Sequence, residues 1–332
     1  MGIINPTSET VNGTALSIIK SGKVSGTAYI TSTLDNQKSI TSLNISVKPS
    51  IDSTTPSNNS RINWKTSSIK INLSEPVEPG NGFGEITLTG PSGKVKTSQN
   101  ILNNILTIYA SSDLADGTYK IYIPFNGLKD FNNNVLKQSF YSYFTVDNRK
   151  PTVSIYHNGG FYNATKTVYL KIDEPGIIYY TLDNSRPTKT SSKYINPLKI
   201  SKTTILKYLA FDTSGNQSNT GTVTYIIDRN PPRIVATSPN RFQRDVSTVS
   251  TVKIYFNENI KPGINFGQIK IKNLNTGRYV SVSKTINGNM LTIKNLKTKA
   301  TWYTLILPEG SVVDKAGNKL KQNYLLEFRT RN

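Results

Sequence analysis

One stretch of this chain occurs twice. Ile69–Leu88, IKINLSEPVEPGNGFGEITL, aligns without a gap on Val252–Ile271, VKIYFNENIKPGINFGQIKI. Lys70/Lys253, Ile71/Ile254, Glu75/Glu258, Pro79/Pro262, Gly80/Gly263, Phe83/Phe266, Gly84/Gly267 and Ile86/Ile269 are identical at an offset of 183. The match resumes at Leu106–Ile108 with Leu291–Ile293, runs through GTYKIYIP with TWYTLILP, and ends on LKDFNNNVL (Leu128–Leu136) with VVDKAGNKL (Val312–Leu320). Two copies of one domain around a different one specify an array of modules, and fixed-offset self-similarity settles architecture before any single residue does.

A second pattern marks the joints. An apolar residue, Asp, three residues and Pro recur as Ile51-Asp52…Pro56, Val146-Asp147…Pro151 and Ile227-Asp228…Pro232, each after a strand-like run. Proline fixes φ, lacks an N–H and keeps its predecessor extended, so it suits a short stiff junction. The segments are then 1–51, 52–150, 151–230 and 231–332. The last three have the size of a β-sandwich that buries its own core. Residues 1–51 are too few, and read either as a partial β-domain cut from a longer array or as a donor strand for a neighbouring molecule. The opening Met1-Gly2 favours the first. An Asp at a joint can ligate Ca²⁺, but a hard cation needs several converging oxygens. Counted along the sequence each joint offers one carboxylate, so no metal site is expected.

The runs SIKINL, EITLTG, LTIYA, YKIYIP, TVYLKI, TVKIYF, QIKIKN and YTLILP alternate apolar and polar residues between clusters of Gly, Pro, Asn, Asp and Ser. Alternation sends every second side chain to a core, and no stretch has capped helical periodicity. The expectation is an all-β chain of tandem Ig-like β-sandwich domains in an extended array. With no cysteine, disulfides and thiolate metal sites are excluded. No apolar run is long enough to span a membrane, so export to the cell surface requires a leader or anchor outside this segment. Sequons at Asn12, Asn44, Asn58, Asn72, Asn163 and Asn216 are permissive of an extracellular setting and no more, because Asn, Ser and Thr abound.

Residues 231–332 hold +12 of the total net charge of +20. Arg233, Arg241 and Arg244 cluster at the start of this domain, and Lys270, Lys272, Lys294, Lys297 and Lys299 crowd its middle. Lys270 and Lys272 flank Ile271, so both face away from the core. They are candidate contacts for a polyanion such as a cell-wall or surface glycan polymer. The plain alternative is solubility and edge-strand lysines that block sheet aggregation. Nucleic acid is disfavoured, because neither a recognition helix nor an aromatic RNA-binding motif is present.

Catalysis lacks its parts. The only histidine, His157, sits beside Asn158-Gly159-Gly160, and no nucleophile elbow or metal-ligand cluster accompanies it. The pairs Glu75/Glu78, Asp113/Asp116 and Asp173/Glu174 lie at turns next to Pro or Gly, where exposed acids are ordinary. GNGFGE (Gly80–Glu85) opens no helix and reads as a turn or bulge. A non-enzymatic chain without cofactors is expected.

The middle segment carries GGFYN (Gly159–Asn163), then Tyr179-Tyr180-Thr181-Leu182-Asp183-Asn184-Ser185-Arg186-Pro187-Thr188, Tyr194, Pro197-Leu198 and Asp212-Thr213-Ser214-Gly215-Asn216-Gln217-Ser218. Over about 151–228 this resembles the chitobiase/β-hexosaminidase C-terminal-type β-sandwich, with Asn184 where that family usually has Gly. Asn also enters the left-handed region. The flanking copies, with FNENIKPG and LSEPVEPG followed by Val313-Asp314-Lys315-Ala316-Gly317-Asn318 or the degenerate Lys129-Asp130-Phe131-Asn132-Asn133-Asn134, resemble the SbsA-type bacterial Ig-like domain. The D-x-x-G-N element reads as a tight turn without chemistry. The resemblances imply a cell-surface protein of S-layer or adhesin-like type, or accessory modules of a secreted glycan-degrading enzyme. An electrostatic anchor to anionic wall polymer and lateral self-association are further expectations. Phe161, Tyr162 and Tyr180 are candidates for stacking on a sugar, Tyr180 on condition that its neighbour Tyr179 is the buried one. The plain reading is that tyrosines are strand formers and core fillers.

Overall fold

The computed structural model describes residues 26–34, 37–64, 68–295 and 297–332, so the first 25 residues of segment 1–51 lie outside the described residues. Its chain divides into two compact units, Met1–Pro151 with Phe211–Gln217, and Thr152–Ala210 with Ser218–Asn332.

In the first unit, Gly26–Leu34 and Gln37–Ile45 form an antiparallel two-stranded sheet in continuous register. A sandwich follows. Its four-stranded sheet runs Ile51–Thr55, Ser68–Leu73, Ile105–Ala110, Thr97–Leu102, and its five-stranded sheet runs Ser60–Ile62, Phe140–Val146, Gly117–Ile123, Thr87–Gly90, Gly93–Val95. The alternation seen in sequence sets what goes inside: Ile69, Ile71 and Leu73 from one sheet meet Tyr119, Ile121 and Ile123 from the other. Trp64, Phe144 and Tyr119 stack within this core.

The second unit contains two sandwiches with separate cores. The one at the C-terminus repeats the strand order of the first. Ile234–Ser238, Val252–Phe256, Met290–Lys294 and Ser283–Asn287 make four strands, and Gln243–Val246, Tyr324–Thr330, Trp302–Leu307, Lys270–Asn273 and Tyr279–Val280 make five. Cis bonds before Pro56 and Pro239 fall at equivalent places. The middle sandwich has a three-stranded sheet, Val153–Tyr156, Lys166–Ile172, Leu198–Ile200. This faces a five-stranded one, Gly160–Tyr162, Gly221–Ile227, Thr204–Asp212, Gly176–Thr181, Ser192–Lys193. Val168, Leu170, Leu206 and Tyr225 fill it.

Two of the three Asp–Pro patterns lie between sandwiches, and one does not. Ile51–Thr55 is the first strand of its sandwich, paired with Ser68–Leu73, and it corresponds to Ile234–Ser238 of the second copy. Ile51-Asp52…Pro56 is therefore an internal strand ending in a cis proline. The counterpart of Pro232 is Pro49; both are buried. GNGFGE forms the expected turn, a single 3₁₀ turn at Phe83–Glu85, matched at Phe266–Gln268.

Candidate functional site

Each D-x-x-x-N turn is closed on itself by its own Asp. Asp314 accepts from the Asn318 N–H at 2.8 Å and from Asn318 Nδ2 at 2.7 Å, and its own N–H returns to the Asn318 carbonyl. Asp212 and Asn216 repeat the arrangement at 2.7 and 2.8 Å, as do Asp130 and Asn134. The Asn side-chain amide has a second N–H, and in all three turns it reaches the segment that leads into the sandwich. Asn318 Nδ2 donates to the Asp228 carbonyl at 2.9 Å, Asn216 Nδ2 to the Asp147 carbonyl at 2.7 Å, and Asn134 Nδ2 bonds Ser46 Oγ. The turn is thus a clamp on the incoming chain as well as a bend. Asn216, which lies in a sequon, is 6% exposed and engaged in this clamp.

Asp147 is the most elaborately held of the joint carboxylates. Arg61 Nη2 and Nε donate to its Oδ2 at 2.9 and 3.1 Å, Ser214 Oγ adds a bond at 3.0 Å, and the Arg149 N–H donates to Oδ1. Burial works to raise its pKa, but the Arg61, Ser214 and Arg149 donors outweigh that and hold the carboxyl below its usual range.

The joint at Asp228 collects more acid than the sequence spacing shows. Carboxylate oxygens of Asp228, Glu258 and Asp314 all lie within 4.8 Å of one another, a donor set of the hard type that suits Ca²⁺. Residues 30 and 86 positions further along supply the two extra carboxylates, so the count of one carboxylate per joint does not hold here. Glu258 carries the cost: burial, then the charges of Asp314 and Asp228, push its pKa above the normal value. A carboxyl whose folded pKa is raised binds its proton more tightly folded than unfolded. The penalty is absent below the unfolded pKa and grows as pH rises through the folded one. Glu258→Gln is therefore expected to stabilise the C-terminal sandwich at pH 7, by about 0.5 kcal/mol given solvent screening, and to gain nothing at pH 3. Urea titrations at the two pH values check this; equal shifts at both would contradict it.

The aromatic candidates separate. Ile178 is in the middle core, so Tyr180, two residues on, faces the same way and packs against that core. Tyr179 points to the opposite face and is 6% exposed, so it is buried as the condition on Tyr180 requires, yet Tyr180 is itself half-buried against the core. Tyr162 also packs on the core, donates its OH to the Asn158 carbonyl at 2.5 Å and lies under Lys166. Phe161 alone of the three is well exposed, with Lys315 Nζ 5.5 Å from its ring centre. These three side chains do not make one platform.

The basic candidates fall into three groups. Lys294 is exposed on the four-stranded sheet, and Arg233 lies just before it, bonded through its backbone to Asn257. Lys297 is half-buried, its Nζ bonded to the Ser250 carbonyl, and burial lowers its pKa; it ties a turn to the sandwich. Lys299 is exposed in the turn before Trp302–Leu307. Arg244, Lys270 and Lys272 share the outward face of the five-stranded sheet, opposite the fully buried Ile271. Arg241 stands beside that sheet over the Phe242 ring, at 4.9 Å.

The model for the bacterial Ig-like domain matches residues 45–146 and again 228–330, more than half of the chain. The chain belongs to the bacterial Ig-like domain family. Between its two Ig-like domains, residues 157–222 match the model for the chitobiase/beta-hexosaminidase C-terminal domain. No curated protein matches. Among solved structures, domains 1–6 of the surface layer protein SbsC align at 12% identity and a TM-score of 0.24, over 86% of this chain and 54% of that one. This chain thus spans about half the length of that structure. Domains A168–A170 from titin align at 11% identity and 0.31, covering 86% and 99%, and the mouse nectin-like molecule 4 ectodomain at 9% and 0.32, covering 82% and 98%.

Neither matched model describes a catalytic domain. Between the Ig-like domains, His157 sits at a positive φ of 69° with Nδ1 2.7 Å from the Thr167 carbonyl, while its own carbonyl accepts the Tyr225 hydroxyl at 2.6 Å. It is a turn residue tied to backbone. An open groove of about 430 Å³ in the same module is lined by Leu170, Ile172, Ile177, Tyr194 and Ile195 with Lys171 and Lys193, a set with neither a nucleophile nor a paired acid. Among the described residues no helix is long and apolar enough to cross a membrane.

Proposed function

We propose that this chain is a non-enzymatic, structural and adhesive segment of an extracellular surface protein, its sandwiches serving as a stalk or as units of a surface layer. The carrying observation is the clamp. Asn134, Asn216 and Asn318 each bond the chain entering their sandwich while remaining locked to their own Asp. A repeated device that spends buried carboxylates on holding chain entry points suits modules that transmit load. Two further features support the reading. Ig-like and chitobiase/β-hexosaminidase C-terminal-type modules together account for most of the chain, and the sandwiches close by pairing their first short strand parallel to the last long one. These pairs are Ser60–Ile62 with Phe140–Val146 and Gln243–Val246 with Tyr324–Thr330. Pulling such a pair along the strands loads its hydrogen bonds together.

Single-molecule extension tests the mechanical part. Discrete unfolding steps are expected, each releasing about 3.3–3.6 Å per residue, or on the order of 300 Å for a sandwich of this size. Smooth extension without steps would overturn the load-bearing role. Labelling of intact source cells with an antibody to the chain tests the location, and signal only after permeabilisation would overturn it.

A further inference from the structure

The C-terminal Ig-like domain has a face whose chemistry its own fold does not require. On the outward side of the five-stranded sheet, Trp302 stands opposite Arg329, Thr304 opposite Glu327, and Lys270 and Lys272 opposite Ile306 and Thr304 of the neighbouring strand. Tyr279 pairs with Lys272 from the far side. Arg244 sits over the Trp302 ring at 5.7 Å and Lys270 over the Tyr279 ring at 4.7 Å. No carboxylate forms an ion pair with Arg244, Arg329, Lys270 or Lys272 among the described residues.

The first Ig-like domain provides the comparison within the same chain. Thr118 opposite Thr145 occupies the place of Trp302 opposite Arg329, and Thr87 and Thr89 occupy the places of Lys270 and Lys272. Arg61, the counterpart of Arg244, is neutralised by Asp147 at 2.9 Å. Among the described residues, the equivalent face otherwise carries Lys94 and Lys120. The same strand order therefore folds with four threonines where the C-terminal domain has three cations and an indole. Edge protection does not explain them either, since Lys270–Asn273 is an interior strand of its sheet.

We infer that this face, built on Arg244, Lys270, Lys272, Trp302 and Arg329, binds an anionic polysaccharide. Lys270 and Lys272 stand about 6.6–6.8 Å apart along the strand, with the next strand about 4.8 Å away, so the cations form a flat grid for an extended chain. Two of them rest on aromatic rings, which cuts the ordering cost of long side chains on binding. Glu327, half-buried and opposite Thr304 on the same face, selects the polymer class. It repels a uniform phosphodiester chain but accepts from hydroxyls, which a sugar carries beside its acidic group. The inference rests on the surface reading only in the choice of polymer, and binding is measured independently of mechanical strength.

The probe is polygalacturonate at 0.15 M salt, with poly(dT) and phosphatidylglycerol vesicles beside it, measured against the full chain. The triple variant Lys270→Thr, Lys272→Thr, Arg329→Thr, which installs residues the first domain already carries, is expected to lose affinity about tenfold or more. Removing the same charge from the other sheet, by Arg233→Thr, Lys253→Thr and Lys294→Thr, is expected to change it less than about twofold. In a Trp64→Phe background Trp302 is the sole indole, and its emission is expected to shift on binding. Absence of wild-type binding, equal losses in the two triple variants, an unmoved Trp302 signal, or tighter binding to poly(dT) or vesicles would each overturn the assignment.

Discussion

Asn318→Ala is expected to destabilise the C-terminal sandwich by about 2–3 kcal/mol, which for a domain of roughly 100 residues lowers its melting temperature by on the order of 10 °C. Truncation leaves the backbone bonds of the turn in place and removes only the side-chain amide. That amide has two duties, 2.7 Å to Asp314 Oδ2 and 2.9 Å to the Asp228 carbonyl. Asp314 is 2% exposed, so its Oδ2 is left with its charge and without its donor beside Asp228 and Glu258. A hydrogen bond to a buried charge costs more to lose than a neutral one because the stranded group cannot turn to water. Asn318→Asp, close in volume, is expected to cost still more at pH 7, since a fourth carboxylate replaces the donor. Part of that excess should vanish at pH 3, where Glu258, its pKa raised by burial, holds its proton. Urea denaturation followed by Trp302 emission in a Trp64→Phe background reads the domain by itself. An Asn318→Ala variant as stable as wild type would show that the clamp bears no energy.

The repeat made much of this fold readable. Residues identical at a fixed offset produced two sandwiches with one strand order, and the alternation around Ile271 placed Lys270 and Lys272 outward, where they are. What could not be read was pairing between distant residues. Glu258 and Asp314 reach Asp228 only because a strand end and a late turn close on the joint, and spacing along the chain carries no trace of that. Parity is a subtler case. Adjacent Tyr179 and Tyr180 must face opposite ways, but which faces in depends on Ile178 being core, a fact of packing. The Asp–Pro pattern misled at Ile51-Asp52…Pro56 because a strand ending in cis proline and a linker ending in proline look alike in one dimension. Trp302 and Arg329 were missed because charge was counted in clusters. Position-by-position comparison of the two copies, Thr118 against Trp302 and Thr145 against Arg329, holds the signal.

The two copies share two glycines in the turn after their second long strand, and identity alone does not say which is needed. Gly263→Ala is expected to cost about 2–3 kcal/mol, the range for forcing atoms into filled space against unyielding neighbours. A Cβ at Gly263 would lie 2.2 Å from the Gly310 carbonyl oxygen, with the Ser311 backbone at 3.1 Å, because the Gly263 N–H bonds the Ser311 carbonyl and draws the two chains together. Neither neighbour is a side chain that can swing away. The adjoining ribbon, Lys261–Pro262 paired with Val312–Val313, leads directly into Asp314, so the strain falls on the element that aims the clamp. Gly267 has nothing within 4 Å of such a Cβ and no positive φ, and Gly267→Ala is expected to be neutral or to stabilise by about 0.5 kcal/mol through the unfolded chain. The first copy repeats the contrast, with Gly80 2.2 Å from the Asn126 carbonyl oxygen and Gly84 open. Four single variants compared by thermal denaturation decide the matter. Losses confined to Gly80→Ala and Gly263→Ala would show that close backbone approach at the ribbon is what both glycines of that pair serve, whereas equal losses at all four positions would mean that the turn needs glycine for its flexibility and not for its fit.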